Sequence, residues 1–540
     1  MSMTLRKALS VLGKSSPFSV STVSDKASDE LDIYKNRLYV QQDIEKEFAD
    51  RAEQLGPHGV IFLCGSSGDG KSEILTRFYS RLSETCDFHL DATHSFAPHE
   101  TAIQALDQLF DKFKNSNKPL ILGINVGMLA NYSKEGAERH RDFRESIDLF
   151  LSGNHNLVGE FHFLDFENFS KFKFAIGEES YSEFAEQLIS NLACRENSNP
   201  FYLRALEAES AGVETKLVAN FNMLSMPGVR RVIITQLFKA RLLKDQFITT
   251  RAILDLLHHL LTADGYLFDN LYVGTANELV QRISEFDPAL LRTRALDDFI
   301  LRYELGLPDI ELDVFVAQIS SLNICFSREG VKRGDAASLI RLFSLLREQN
   351  ISNNYHQQFT SEFSELTLLS YARMWSLHMG YQGGGNDKKE IRKYYHNDFI
   401  TGVLRYANRN APQLQNSRGE IYLGEFGTVK LSAVVEVKFD FDALASLKKS
   451  RGVYFSALLK VFDQSLKSLP LTLNLFQLVE KLNYGYRPNK YDKNTVVILD
   501  DIVENIKNVA RQHGELKLYE GDITYTAKMD DDMITVDRGA

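Results

Sequence analysis

One octet constrains this chain more than any other feature. Gly65-Ser66-Ser67-Gly68-Asp69-Gly70-Lys71-Ser72 matches GxxxxGK[ST] and follows directly on the apolar run Val60-Ile61-Phe62-Leu63-Cys64. An apolar helical pattern then begins at Ile74. Strand, glycine-rich loop and helix, in that order, can turn backbone N–H groups inward around a phosphate. The glycines permit a wrap that side chains would block. Lys71 adds a positive charge, Ser72 a hydroxyl ligand for Mg²⁺, and the helix start the positive end of its dipole. Average residue usage produces such an octet by accident about once in 50 chains of this length. Its place between strand and helix separates it from that background, so the octet predicts nucleotide binding.

Around the octet the periodicity predicts a parallel α/β sheet. Further strand candidates are Phe88-His89-Leu90, Leu120-Ile121-Leu122-Gly123-Ile124, Phe161-His162-Phe163-Leu164 and Arg231-Val232-Ile233-Ile234. Helical patterns separate them, most clearly Thr101 to Phe113 and Phe143 to Leu151, and such alternation is that of an α/β fold. Beyond about residue 235 the pattern turns helical: Ile253, Leu254, Leu257, Leu260 and Leu261 share a stripe, with Thr249 or Thr250 as cap. From about 415 it is mixed, with Val434 to Asp440 and Val496 to Leu499 reading as strands and Val453 to Ser468 as a helix. The expected fold is an α/β P-loop NTPase-like domain with a parallel sheet, then a helical region, then a smaller α+β C-terminal region. The expected boundaries are an approach segment 1–57, the P-loop domain 58–240, a helical lid and helical region 241–414, and the C-terminal region 415–540. A length of 540 residues allows about three or four domains.

Composition excludes several function classes. Sixty-two Lys and Arg against 72 Asp and Glu leave a net charge of −10, which predicts solubility and no bulk attraction to nucleic acid. The four cysteines, Cys64, Cys86, Cys194 and Cys325, form no CxxC pair and suggest neither a disulfide framework nor a zinc site. The apolar stretch Ala8 to Gly13 is too short for a signal peptide, and no apolar run is long enough to span a membrane. A cytoplasmic protein without membrane contact is expected.

Hydrolysis needs acids that the octet does not supply: one to position Mg²⁺ and one to orient water. The third strand should carry them, yet it ends Gly123-Ile124-Asn125-Val126-Gly127. Asn125 is polar but uncharged. Asp91, Asp165 and Glu167 follow other strands and are the remaining catalytic candidates, each equally readable as a turn or capping carboxylate. Whether the chain is an enzyme therefore stays open.

Other motifs carry a functional and a bland reading. Arg139, Arg141 and Arg144 with His140 form a basic cluster, balanced by Glu138, Asp142 and Glu145. Arg251 opens the Leu-rich helix, where an arginine either senses a γ-phosphate or lies on the surface. Glu436-Val437-Lys438, with Glu420 and Glu425 upstream, has the form of a nuclease strand or of an alternating solvent face. Asn489-Lys490-Tyr491-Asp492 fits a guanine-recognition pattern but lies over 400 residues from the octet, so adenine is the expected base and ATP–Mg²⁺ the expected ligand. Lys388, Lys389, Arg392 and Lys393 beside Tyr394 and Tyr395 combine cations with stacking rings, or form a solvated helix end.

A wider set of segments is similar to a known family. Leu31-Asp32-Ile33-Tyr34, Arg37-Leu38-Tyr39-Val40, Ile44-Glu45 and Phe62 to Leu75 resemble the DptF family of DNA phosphorothioation-dependent restriction proteins. So do Asp91-Ala92-Thr93-His94-Ser95-Phe96, Gly123 to Leu129, Tyr406 to Pro412 and Asn483 to Lys490. These stretches span nearly the whole chain. The resemblance implies a bacterial defence component that works with DptG- and DptH-like subunits against DNA lacking the sulfur mark, reaching DNA through that complex. It carries over only the loop positions Gly65 to Ser72, and it implies that the Gly-Ile-Asn-x-Gly ending is a family trait. The alternatives are a free-standing DNA-stimulated motor ATPase and a non-catalytic scaffold with a vestigial loop.

Overall fold

The computed structural model describes residues 3–13, 30–90, 101–152, 160–169, 171–174, 180–326, 335–447, 453–521, 523–530 and 533–539. They form two compact units, one of Met1–Phe172 with Ser182–Ser364 and one of Lys173–Tyr181 with Glu365–Ala540. No helix among the described residues is long and apolar enough to cross a membrane.

The first unit is built on a parallel sheet of β1 (Val60–Cys64), β2 (Asp87–His89), β3 (Leu120–Ile124) and β4 (Phe161–Asp165), in the order β2-β3-β1-β4. Cys64 at the end of β1 stands opposite Ile124 of β3 and Asp165 of β4. Because β1 is central, both its faces are covered, and its five residues are all buried. Val60, Phe62 and Cys64 pack toward Leu106, Phe110, Leu129 and Phe143 on helices Ala102–Lys114, Val126–Glu135 and Arg141–Leu151. Ile61 and Leu63 face Ile44, Phe48, Ile74 and Leu75 on helices Asp43–Glu53 and Lys71–Leu82. Right-handed crossovers explain the division. The chain passes from β1 over to β2 in one direction and returns through β3 to β4 in the other, so the crossover helices fall on opposite faces.

The Arg231 to Ile234 run is not a fifth strand. It lies inside helix Pro227–Leu243, where Val229, Val232, Ile233, Leu237 and Phe238 are all fully buried. A helix buried on most sides shows a continuous apolar run, and periodicity alone cannot tell that from a buried strand. Pro227 at the first helical turn marks the true start. The Leu-rich helix forms, running Thr250–Thr262 with the Thr249 hydroxyl accepting from the Ala252 N–H, and Leu256 rather than Leu254 joins Ile253, Leu257, Leu260 and Leu261 in its buried stripe.

In the second unit, helices Leu366–Gly380, Ile400–Ala407 and Leu473–Asn483 accompany an antiparallel sheet of Glu420–Phe426, Val429–Val434, Glu515–Glu520, Ile523–Asp530 and Met533–Arg538. Two sequence expectations reverse here. Val496 to Leu499 belongs to helix Lys493–Gln512, whose buried stripe is Leu499, Ile502, Val503, Ile506, Val509 and Ala510. Val453 to Ser468 is not helical but forms short strands Phe455–Ala457, Leu459–Val461 and Gln464–Ser465. Phe455, Ala457, Leu459 and Val461 alternate inward at period two, which outweighs the helical spacing.

His378 sits in this unit's aromatic core, 4.5 Å from the Phe455 ring, with Nδ1 donating to the Met374 carbonyl at 2.7 Å. Burial drives its pKa down to about 4 from the ordinary 6.5. The unfolded chain therefore binds a proton in that window which the folded chain refuses, and stability falls as pH drops through it. The loss is expected to reach about 3 kcal/mol. Trp375, the one tryptophan, lies buried in the same unit and reports it by fluorescence. Urea midpoints should fall from pH 6.5 to 4, and His378→Gln should flatten much of that slope.

Candidate nucleotide-binding site

The octet occupies the turn between β1 and helix Lys71–Leu82, at the C-terminal edge of the sheet where ligands of open α/β sheets bind. Gly68 and Gly70 take left-handed φ of 85° and 108°, conformations that L side chains rarely adopt. Gly70 is the cap of the following helix and supplies no side-chain acceptor to its first turn. The amides of Lys71 and Ser72 thus point out of the helix start, the geometry that suits a phosphate. Lys71 Nζ donates to the carbonyls of Gly65 and Ser66 at 2.9 and 2.8 Å, so its ammonium lies back across the loop. Ser72 is half-buried on that first turn.

Two contacts hold the loop in shape, and neither was legible locally. Asp69 is fully buried; one carboxylate oxygen accepts the Ser66 N–H at 2.8 Å and the other pairs with Lys171 Nζ at 2.9 Å. Burial pulls the Lys171 ammonium below its ordinary pKa, while the charge of Asp69 opposes that shift. From the other side, the N-terminus of helix Thr250–Thr262 rests on the loop. The Arg251 N–H donates to the Gly68 carbonyl at 3.1 Å, and the Thr250 hydroxyl to the Asp69 carbonyl at 3.2 Å.

A Cβ on Gly68 would come 2.6 Å from the Arg251 Cβ, on a backbone already at positive φ. Gly68→Ala is therefore expected to lower the stability of the first unit by about 1–3 kcal/mol. Chemical denaturation followed by far-ultraviolet circular dichroism measures this; a change below a few tenths of a kcal/mol would contradict the close approach.

The acid candidates separate. Asn125 and Asp165 both reach the loop's edge, since the residues before and at these positions pair with Cys64 across β1, and the Gly65 N–H donates to the Ile124 carbonyl. Asn125 is engaged as a helix cap, its side chain accepting the Met128 N–H at 2.6 Å. Asp165 accepts the Glu167 N–H at 3.0 Å in a tight turn and stays half-buried. Glu167 itself is exposed on that turn. Asp91 lies outside the described residues. Among the described candidates, Asp165 is the carboxylate beside the loop.

Most other sequence candidates resolve as scaffold. Arg139, Arg141 and Arg144 pair with Asp111, Glu145 and Glu138. The Arg251 guanidinium pairs with Asp255 at 2.8 Å and donates to the Leu12 carbonyl, so Arg251 meets the loop through its main chain and Cβ while its charge is engaged elsewhere. Glu436 and Lys438 pair with each other on the solvent face, with Val435, Val437 and Phe439 inward. Glu420 accepts from Lys517 Nζ and from the Tyr519 and Ser432 hydroxyls. Tyr394 stacks on Phe476 and Tyr395 packs on Phe439 in the second unit, so neither serves the cations at 388–393; Lys388 and Arg392 lie instead over the Phe441 ring, at 5.1 and 5.8 Å. Asn489 and Asp492 form a helix capping box.

Comparison with protein-family models, with curated proteins and with solved structures returns no match.

Proposed function

We propose that the chain binds ATP–Mg²⁺ at Gly65 to Ser72 and serves as a nucleotide-gated subunit of a bacterial DNA restriction complex. The observation that carries the nucleotide part is the pair of left-handed glycines leading into an uncapped helix start under Lys71. The restriction part rests on the DptF-like segments, which make DptG- and DptH-like subunits the expected partners and DNA lacking phosphorothioate the target. Gating is supported by the bonds from Thr250 and Arg251 to the loop. A γ-phosphate that shifts Gly68 and Asp69 would bias the helical region through them. Consecutive helices Arg294–Glu304 and Ile310–Ser320, with Leu305 just after the first, also expose Leu301, Leu305, Ile310 and Val314, apolar surface of the kind that partners cover. The test is restriction in cells carrying Lys71→Ala: loss supports the reading, and full protection against unmodified DNA sinks it.

A second reading, a scaffold with a vestigial loop, is favoured by Asn125, which stands where a magnesium-positioning acid belongs and is engaged as a cap. It predicts no measurable nucleotide affinity. A motor reading would need Asp165, or an acid outside the described residues, and predicts turnover that rises with unmodified duplex DNA.

A further inference from the structure

We infer that the second unit carries a groove for a single nucleic-acid strand. It is a cavity of about 620 Å³ between helix Ile400–Ala407, the turn at 483–490 and the start of helix Lys493–Gln512. Five cations line it: Arg405, Arg409, Arg487, Lys490 and Lys493. None of the five makes an ion pair among the described residues, whereas Arg139, Arg141, Arg144 and Arg341 elsewhere are all paired. Arg405 donates to the Asn483 carbonyl and Arg409 to the Tyr406 carbonyl, so both guanidiniums are oriented without being neutralised. In a chain of net charge −10, five such cations in one concavity form a local positive field.

Two neighbouring carboxylates offset it only in part. Asp492 accepts the Tyr486 hydroxyl and the Asn489 N–H, each at 2.8 Å, and Asp500 accepts the Tyr406 hydroxyl at 2.8 Å. They position rings. Tyr486 lines the cavity, and Tyr484 and Tyr491 beside it are 87 % and 85 % exposed, far from the buried state usual for large rings. The Arg409 guanidinium already lies 3.9 Å over the Tyr406 ring, and Lys490 lies 5.1 Å from that of Tyr491. Cations for phosphates, open aromatic faces for bases and a pocket of nucleotide size are the components of single-strand recognition. A duplex would keep its bases stacked away from those rings. The inference deepens the restriction reading by supplying direct contact with DNA, and rests on that reading only for its biological role.

Fluorescence anisotropy of the full chain with a labelled single-stranded DNA of about 15 nucleotides tests it, beside the matching duplex. The single strand should bind more tightly than the duplex, and log affinity should fall with log salt by roughly 0.7 for each phosphate neutralised. Arg487 and Lys490 are exposed, so Arg487→Glu/Lys490→Glu should fold; Trp375 fluorescence checks this. That variant should bind at least 30-fold more weakly with a shallower salt slope. Tyr491→Ala should weaken binding while leaving the slope. Lys71→Ala should bind the strand as well as the native chain does, which separates failure of the nucleotide reading from failure of this one. Equal binding by the charge-reversed variant, or a duplex held as tightly as the strand, would overturn the inference. So would displacement of the strand from Lys71→Ala by ATP, since the cavity would then be a mononucleotide pocket.

Discussion

Lys71→Ala is expected to weaken ATP–Mg²⁺ binding by the full chain about a hundredfold. The ammonium donates to two neutral carbonyls, Gly65 and Ser66, at 2.9 and 2.8 Å. A triphosphate would replace these with oppositely charged oxygens, adding ion-pair attraction to bonds the ammonium already charge-assists, and a charged hydrogen bond contributes roughly 1.5–3 kcal/mol. Nothing else in the loop carries positive charge, since Lys171 is buried against Asp69. The side chain of Lys71 is only half-buried, so its loss should leave the fold intact. Calorimetric titration with ATP and Mg²⁺ gives the affinity. A dissociation constant within threefold of the native value would remove the loop from nucleotide binding. Turnover in the same samples, with and without unmodified duplex DNA, then separates a switch from a motor.

The second large effect is expected at Lys171. Lys171→Met leaves the Asp69 carboxylate fully buried without its cation, and breaking one side of a buried pair costs about 3–5 kcal/mol. Asp69→Asn/Lys171→Met should recover most of that loss, because the amide oxygen still accepts the Ser66 N–H while no charge is stranded. Hydrogen exchange at the β1 amides, next to the loop, reads both variants in the first unit. Equal protection in the single and double variants would mean that the pair does not hold the loop. ATP affinity should follow the same order, since the loop's shape depends on Asp69.

How much was legible depended on how local the cause was. The octet, Thr249 as a cap and the helix Ala102–Lys114 with its Thr101–Gln104 capping box rest on neighbours three or four residues away. The Asp69–Lys171 pair spans 102 residues and leaves no local mark. Arg231 to Ile234 and Val496 to Leu499 read as strands yet lie in helices, because short β-branched runs suit a strand and a packed helix equally. Tyr394 and Tyr395 read in sequence as stacking rings, whereas Tyr395 is buried and Tyr394 stacks on Phe476.

By itself, then, the sequence determined the strand–loop–helix unit with its left-handed glycines and cation, because that geometry is set by backbone sterics over eight residues. It also determined the α/β class, through apolar runs alternating with helical stripes. Tertiary structure decided which acid stands beside the loop. Strand order sets Ile124, the residue before Asn125, and Asp165 on either side of Cys64, and no property of Asn125 or Asp165 reveals that neighbour. It likewise decided which cations stay unpaired, because an ion pair needs a carboxylate within about 4 Å. That distance is fixed by packing rather than by position along the chain.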